Sequence, residues 1–147
     1  MSSVVQNAVI QEPAAGALFT LSLPRINTHV PGKGIFRSIM PGVDGAPDYR
    51  VYEAVTRIDR GNWADVKAAA EALRDEGQED WSLPTRAEAA LLYAVAKGEH
   101  ESTWYWTSEP YGSDCAWYQY FGDGNQGWRG QRNNDIRGCA VRREPIQ

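Results

Sequence analysis

Residues 104–143 read WYWTSEPYGSDCAWYQYFGDGNQGWRGQRNNDIRGCAVRR and hold nine of the sixteen aromatic residues in the chain. Strand formers here come in short runs separated by turn residues, a pattern that predicts antiparallel strands rather than a helix. Four strands are predicted, over 104–108, 116–121, 126–131 and 137–143, with PYGSD, GDGN and NNDI between them. Alternation along AWYQYF sends Trp117, Gln119 and Phe121 to one face and Ala116, Tyr118 and Tyr120 to the other. Placing Trp117 and Phe121 in the core leaves Tyr118 and Tyr120 for a partner.

Upstream, GIFRSI (34–39) and YRVYEAVTRI (49–58) predict a hairpin around the turn 41–47. Asn62 then offers an oxygen to free helical amides, and Trp63, Val66, Ala70 and Leu73 follow at helical spacing, so a helix is predicted over 63–76, stopped by Gly77. Thr85 and Glu88 form a capping-box signature, and Ala87, Leu91, Leu92 and Val95 predict the buried stripe of a second helix ending at Gly98. Strands, two helices, then strands define an α+β plan with helices packed on a small antiparallel sheet. Residues 1–32 read as an arm carrying one strand (17–23), for contact with an oligomer or a particle, and 33–147 as the domain proper.

The chain has 147 residues and a net charge of -4. That charge disfavours sequence-independent nucleic-acid binding, although Arg129, Arg132, Arg137, Arg142 and Arg143 form a local basic run. The start of the sequence shows neither a basic region nor an apolar run of secretory type, and no segment has the length and apolarity of a membrane span. Cys115 and Cys139 are expected to be small buried hydrophobes rather than a disulfide in a reducing compartment. His29 and His100 are far apart in sequence and no CxxC occurs, so no structural zinc site is expected. The run Asp123, Gly124, Asn125 reads as a turn rather than a calcium loop.

Three motifs together carry a family resemblance. Trp81, Leu83, Pro84, Thr85 and Glu88 fit W-R-L-P-T-x-x-E-L; Tyr105, Trp106, Ser108, Glu109 and Tyr111 fit Y-W-S-S-T-E-Y; and Ala116, Trp117, Phe121 and Gly124, closing on Ala140, Val141, Arg142 and Arg143, fit the rest. From about residue 34 to 143 the sequence resembles the C-type-lectin-like domain at the C-terminus of Legionella collagen-like adhesins, with relatives among phage and prophage proteins and the variable proteins of diversity-generating retroelements. The resemblance implies a lectin-like fold whose last third displays variable residues to protein or carbohydrate receptors without a metal. Ser82 and Thr107 depart from the pattern without consequence for the fold. Gly138 and Cys139 replace bulkier or charged residues and predict looser packing near the end.

Composition and resemblance together predict a non-enzymatic binding surface. Tyr and Trp supply rigid contact area while Ser, Gly and Asn supply adaptable hydrogen bonds. The expected contact residues are Trp104, Tyr118, Tyr120, Asn125, Gln126, Trp128, Arg129, Gln131 and Arg132, since aromatic and Arg side chains anchor interfaces. Trp81 and Trp106 are expected in the core. The predicted role is a phage or prophage virion protein, decorating a capsid or associated with a tail, made in the bacterial cytoplasm and assembled as a homo-oligomer, with three-fold symmetry expected. The alternatives are an adhesin or tail-tip protein recognising host polysaccharide or protein, and an intracellular prophage protein modulating a host factor. No catalytic group, metal or cofactor is expected.

Overall fold

The computed structural model describes residues 23–147. The strand expected over 17–23 falls outside them, apart from Leu23. In chain order the elements are β1 (Thr28–Val30), β2 (Gly34–Met40), β3 (Tyr49–Glu53), β4 (Ile58–Gly61), α1 (Trp63–Ala72), α2 (Arg86–Ala96), β5 (Trp104–Tyr111), β6 (Cys115–Tyr120), β7 (Gln126–Gly130), β8 (Ile136–Gly138) and β9 (Val141–Pro145). The fold is α+β, with two α-helices and two sheets among the described residues. One sheet, β1-β2-β3-β9, is antiparallel; the other, β4-β8-β5-β6-β7, is mixed because β5 and β8 run parallel.

The expected hairpin forms as β2 and β3, with a register shift between Phe36 and Ser38. Two predicted strands divide between the sheets. Residues 49–58 break after Glu53, where the Ala54 N–H bonds the Ala140 carbonyl and the Thr56 main chain and hydroxyl bond the Asp75 carboxylate. Residues 137–143 break at Cys139 and Ala140, so that β8 joins one sheet and β9 pairs with β3 in the other. Period-two alternation looks the same on both sides of such a crossover, so the sequence pattern merges the pieces. β1 lies within the predicted arm yet pairs with β2, and the Asn27 side chain bonds both Arg37 and the Val95 carbonyl.

Helix α1 begins as predicted, with the Asn62 side chain accepting from the Asp65 N–H, but ends at Ala72 rather than residue 76. Residues 75–77 instead form one turn of 3-10 helix in which Glu76 takes φ 58°, and its carboxylate accepts from the Gly32 N–H and pairs with His29. These long-range bonds compete successfully with helix continuation. The capping box of α2 is present in full. Its buried stripe, however, is Glu88, Ala89, Leu92 and Ala96, with Ala87 exposed and Leu91 and Val95 at the margin. The helix is rotated because Glu88 is pulled inward by partners that sequence periodicity does not reveal.

Two apolar clusters hold the layers. Val66 and Ala70 of α1 pack with Trp81, Leu83, Trp106, Ala116 and Ile136, and Leu92 of α2 packs with Val51, Tyr105, Phe121 and Val141. Trp81 and Trp106 are core residues, as expected. Packing around Gly138 is tight rather than loose, since a Cβ there would lie 2.4 Å from a Val66 methyl and 3.2 Å from Ile58. Gly138→Ala is therefore expected to lower the unfolding free energy by about 1–3 kcal/mol through overpacking, as read by urea denaturation.

Candidate functional site

Directly paired residues on neighbouring strands share a sheet face, so the registers of β5, β6 and β7 sort the aromatic residues. Trp104 pairs with Tyr120, Trp106 with Tyr118, Tyr118 with Gly127, and Ala116 with Arg129. This face presents Trp104, with Tyr118 and Tyr120 at ring-centroid distances of 6.0 and 5.7 Å and the Arg129 guanidinium 5.3 Å from its ring. All three rings are half-buried and Arg129 is exposed. Tyr118 lies across β7, because a Cβ at Gly127 would come 2.7 Å from its hydroxyl.

The opposite face carries a second aromatic group. Trp117 pairs with Trp128 and Tyr111 with Cys115; Tyr111 and Trp128 stack at 4.3 Å, and both meet Trp117 edge-on. Trp117, expected in the core, is only half-buried. Its ring is covered by the Arg86 guanidinium at 3.5 Å, and Gln119 and Phe121 fill the interior on that side. The residue that the alternation overlooked is Arg86, whose side chain reaches from the start of α2 and also bonds Gln126.

The predicted contact residues therefore do not form one surface. Trp104, Tyr118, Tyr120 and Arg129 come together on one face, and Trp128 lies on the other. Gln126 is spent holding α2, donating to the Arg86 carbonyl and to Gln119. Asn125 sits in the turn, bonded to Asp123. Gln131 donates to the Cys115 carbonyl, and exposed Arg132 lines an open cleft with Ser113, Asp114 and Gly130. Tyr111, Trp117 and Arg86 lie outside the predicted contact set; counting back across the turn at 122–125 sets Trp128 opposite Gln119 and so on the Trp117 face, whereas nothing local announces Arg86.

The basic run near the end does not survive as a patch. Arg137 pairs with Glu101, Arg142 with Asp80 and Arg143 with Glu88, leaving only Arg129 and Arg132 of the five without an acidic partner among the described residues. Neutralised guanidiniums have little to offer a phosphate backbone.

A buried polar cluster lies away from both aromatic faces. Glu53, fully buried, accepts from Arg37 Nε at 2.9 Å and pairs with His100 Nε2 at 2.9 Å and Arg57 Nε at 3.4 Å. The other His100 nitrogen meets the Ala96 carbonyl, and its ring stacks on Phe121 at 4.3 Å. Cys139 completes a set of three donor atoms within 4.8 Å of one another. Such donors suit zinc, but two guanidiniums already bear on this carboxylate and oppose a divalent cation, so the arrangement works as a neutralised clamp. Burial, and after it the nearby Glu53 charge, pushes the Cys139 thiol well above its ordinary pKa, the reverse of what a nucleophile needs. Both cysteines are free, with Cys115 partly exposed. A disulfide reagent is expected to modify Cys115 readily in native protein and Cys139 only after denaturant is added, counted by absorbance or mass.

Comparison with protein-family models and with curated proteins finds no match for this chain.

Proposed function

We propose that this chain is a non-enzymatic, C-type-lectin-like recognition domain of a phage or prophage virion, attached to a capsid or tail, that meets its target through the Trp104, Tyr118, Tyr120 and Arg129 face. The observation that carries the reading is the state of those three rings. They are half-exposed and seated on a sheet packed against both helices, and the Trp104 ring is overlain by the Arg129 guanidinium, which has no acidic partner among the described residues. Aromatic and Arg groups fixed on rigid strands lose little entropy on binding, which is how such residues come to dominate interfaces.

The lectin-like reading draws support from the layout. The C-terminal strand β9 pairs with β3 of the first hairpin, the two helices lie between them in sequence, and β5 to β8 build the second sheet together with β4. The sequence motifs fall at its joints: Trp81 and Leu83 in the core, and Thr85, Glu88 and Arg143 in one hydrogen-bonded group.

Replacing Tyr118 and Tyr120 together by Ala is expected to weaken binding of labelled protein to host cells at least about tenfold. Near-native far-ultraviolet circular dichroism would show that the fold persists. Unchanged binding by a folded double variant would remove this face from recognition. Mass spectrometry of purified particles tests virion membership separately.

A further inference from the structure

Among the described residues the two sheets end in four edge strands, and three of them are protected. β1 has only three residues; β4 has four and a register shift between Ile58 and Gly61; β9 carries Arg142 and Arg143, ends on Pro145 and is bridged by Ser82. Short length, irregularity, charge and proline are the usual ways of blocking edge-to-edge pairing. β7 has none of them except Arg129. Its five residues, QGWRG, pair with β6 in unbroken register, and Trp128 on it is 48% exposed.

The direction of its main-chain groups follows from bonds already present. Tyr120 N–H donates to the Asn125 carbonyl and Gln131 N–H to the Asp114 carbonyl, so residues 125, 127, 129 and 131 face β6. The N–H and C=O of Gln126 and Trp128, and the N–H of Gly130, then point to the open edge, the Gly130 carbonyl being taken by Asn133.

We infer that β7 is a homodimer interface, pairing antiparallel with β7 of a second copy about a two-fold axis through Trp128. This axis places outward-facing residues opposite one another, as antiparallel pairing requires: Trp128 against Trp128 of the second copy, and Gln126 against its Gly130. Four main-chain hydrogen bonds result, two between the Trp128 residues and one from each Gly130 N–H to the opposite Gln126 carbonyl. The side chains complement themselves in the same register. Gly130 offers no side chain to clash with Gln126, whose amide stays bonded to Arg86 and Gln119, and Arg129 meets Gly127 of the second copy, over which that copy's Tyr118 ring lies. In the turns flanking the strand, exposed Arg132 of one copy comes to the side of the exposed Asp123 carboxylate of the other, and the symmetry repeats that charge match. The exposed Tyr111 and Trp128 stacks of the two copies join into one strip and leave solvent.

The seam borders the first aromatic face, sharing Arg129 and Tyr118 with it, and has a consequence for it. A two-fold axis normal to a continuous sheet puts both Trp104 faces on the same side, so a multivalent target meets two sites at once.

Light scattering on the full-length protein at sub-millimolar concentration is expected to give twice the single-chain mass. Gly130→Pro removes two outward donors per dimer and is expected to weaken self-association about ten- to hundredfold with an unchanged circular dichroism spectrum. In a Cys115→Ser background, Trp128→Cys is expected to yield a covalent dimer under mild oxidation, since opposed residues in such a pair lie within disulfide reach. A monomeric or trimeric wild type, a dimer indifferent to Gly130→Pro, or a Trp128→Cys variant that does not cross-link each overturns the interface. Loss of the dimer with host-cell binding of the single sites retained leaves the recognition reading intact; Tyr120→Ala alone, which leaves Tyr118 at the seam in place, tests the converse.

Discussion

Glu53→Ala is expected to lower the unfolding free energy by about 3–5 kcal/mol, because it strands charge that the fold has removed from water. Arg37 is fully buried, and Glu53 is the fully buried partner of its guanidinium; its other acid, Glu99, is 44% exposed and reached through Nη1. Without the Glu53 carboxylate, Arg37, Arg57 and His100 face one another with no negative charge between them. Urea denaturation of the variant measures the loss, and a change under about 1 kcal/mol would show that the cluster is better hydrated than its burial indicates. The double variant Glu53→Ala, Arg37→Leu is expected to recover part of the loss, since it removes the fully buried guanidinium together with its carboxylate and leaves only His100 and the partly exposed Arg57 without their partner.

The second large effect is expected at Glu88→Ala, also about 3–5 kcal/mol. This carboxylate binds Arg143 through both oxygens, at 2.7 and 2.8 Å, accepts the Tyr49 hydroxyl at 2.6 Å and bonds the Thr85 N–H at 2.9 Å. One side chain thus fastens β3, β9 and the start of α2. Arg143 in turn donates to Ser82 and to the Leu83 carbonyl, tying the same point to the segment before the helix. Thermal denaturation of Glu88→Ala beside Thr85→Ala separates the ion pair from the cap, because loss of the cap alone costs about 1 kcal/mol.

Both carboxylates also set the acid limit of the fold. Burial draws their pKa values upward, but His100, Arg57 and Arg37 around Glu53, and Arg143 with Tyr49 and the Thr85 amide around Glu88, outweigh it and hold both below the ordinary value of 4.5. A depressed folded-state pKa means that the unfolded chain takes up the proton first. The stabilisation is therefore complete above pH 4.5 and is lost as pH falls through the folded-state values. The melting temperature is expected to stay level down to about pH 5 and to drop steeply below pH 4, more gently in Glu88→Ala, which has already lost one of the two contributions.

The sequence pattern revealed most where local chemistry decides the outcome. The capping box of α2, the Asn62 cap of α1, the first hairpin and the core positions of Trp81 and Trp106 all follow from residues within a few positions of one another. It revealed less where a distant partner intervenes. α2 is turned by Arg143, 55 residues from Glu88, and α1 stops where Asp75 and Glu76 are drawn to Thr56, Gly32 and His29. Trp117 left the core because Arg86 covers it. His100 looked solitary because its partners, Glu53 and Cys139, lie on separate segments that only the crossover between the two sheets brings together.

The Glu88 clasp has a bearing on how such a protein changes over time. The bonds that keep the fold closed run through Thr85, Glu88 and Arg143 and through the interior, whereas Trp104, Tyr118, Tyr120 and Arg129 hang from strands that are already secured. Exposed Arg129 is open to exchange with little penalty to folding, whereas half-buried Trp104, Tyr118 and Tyr120 call for replacements that keep the apolar contact Trp104 makes with the core. Under the recognition role proposed above, such exchanges would retune the contact surface of a lineage while one mechanical framework is conserved.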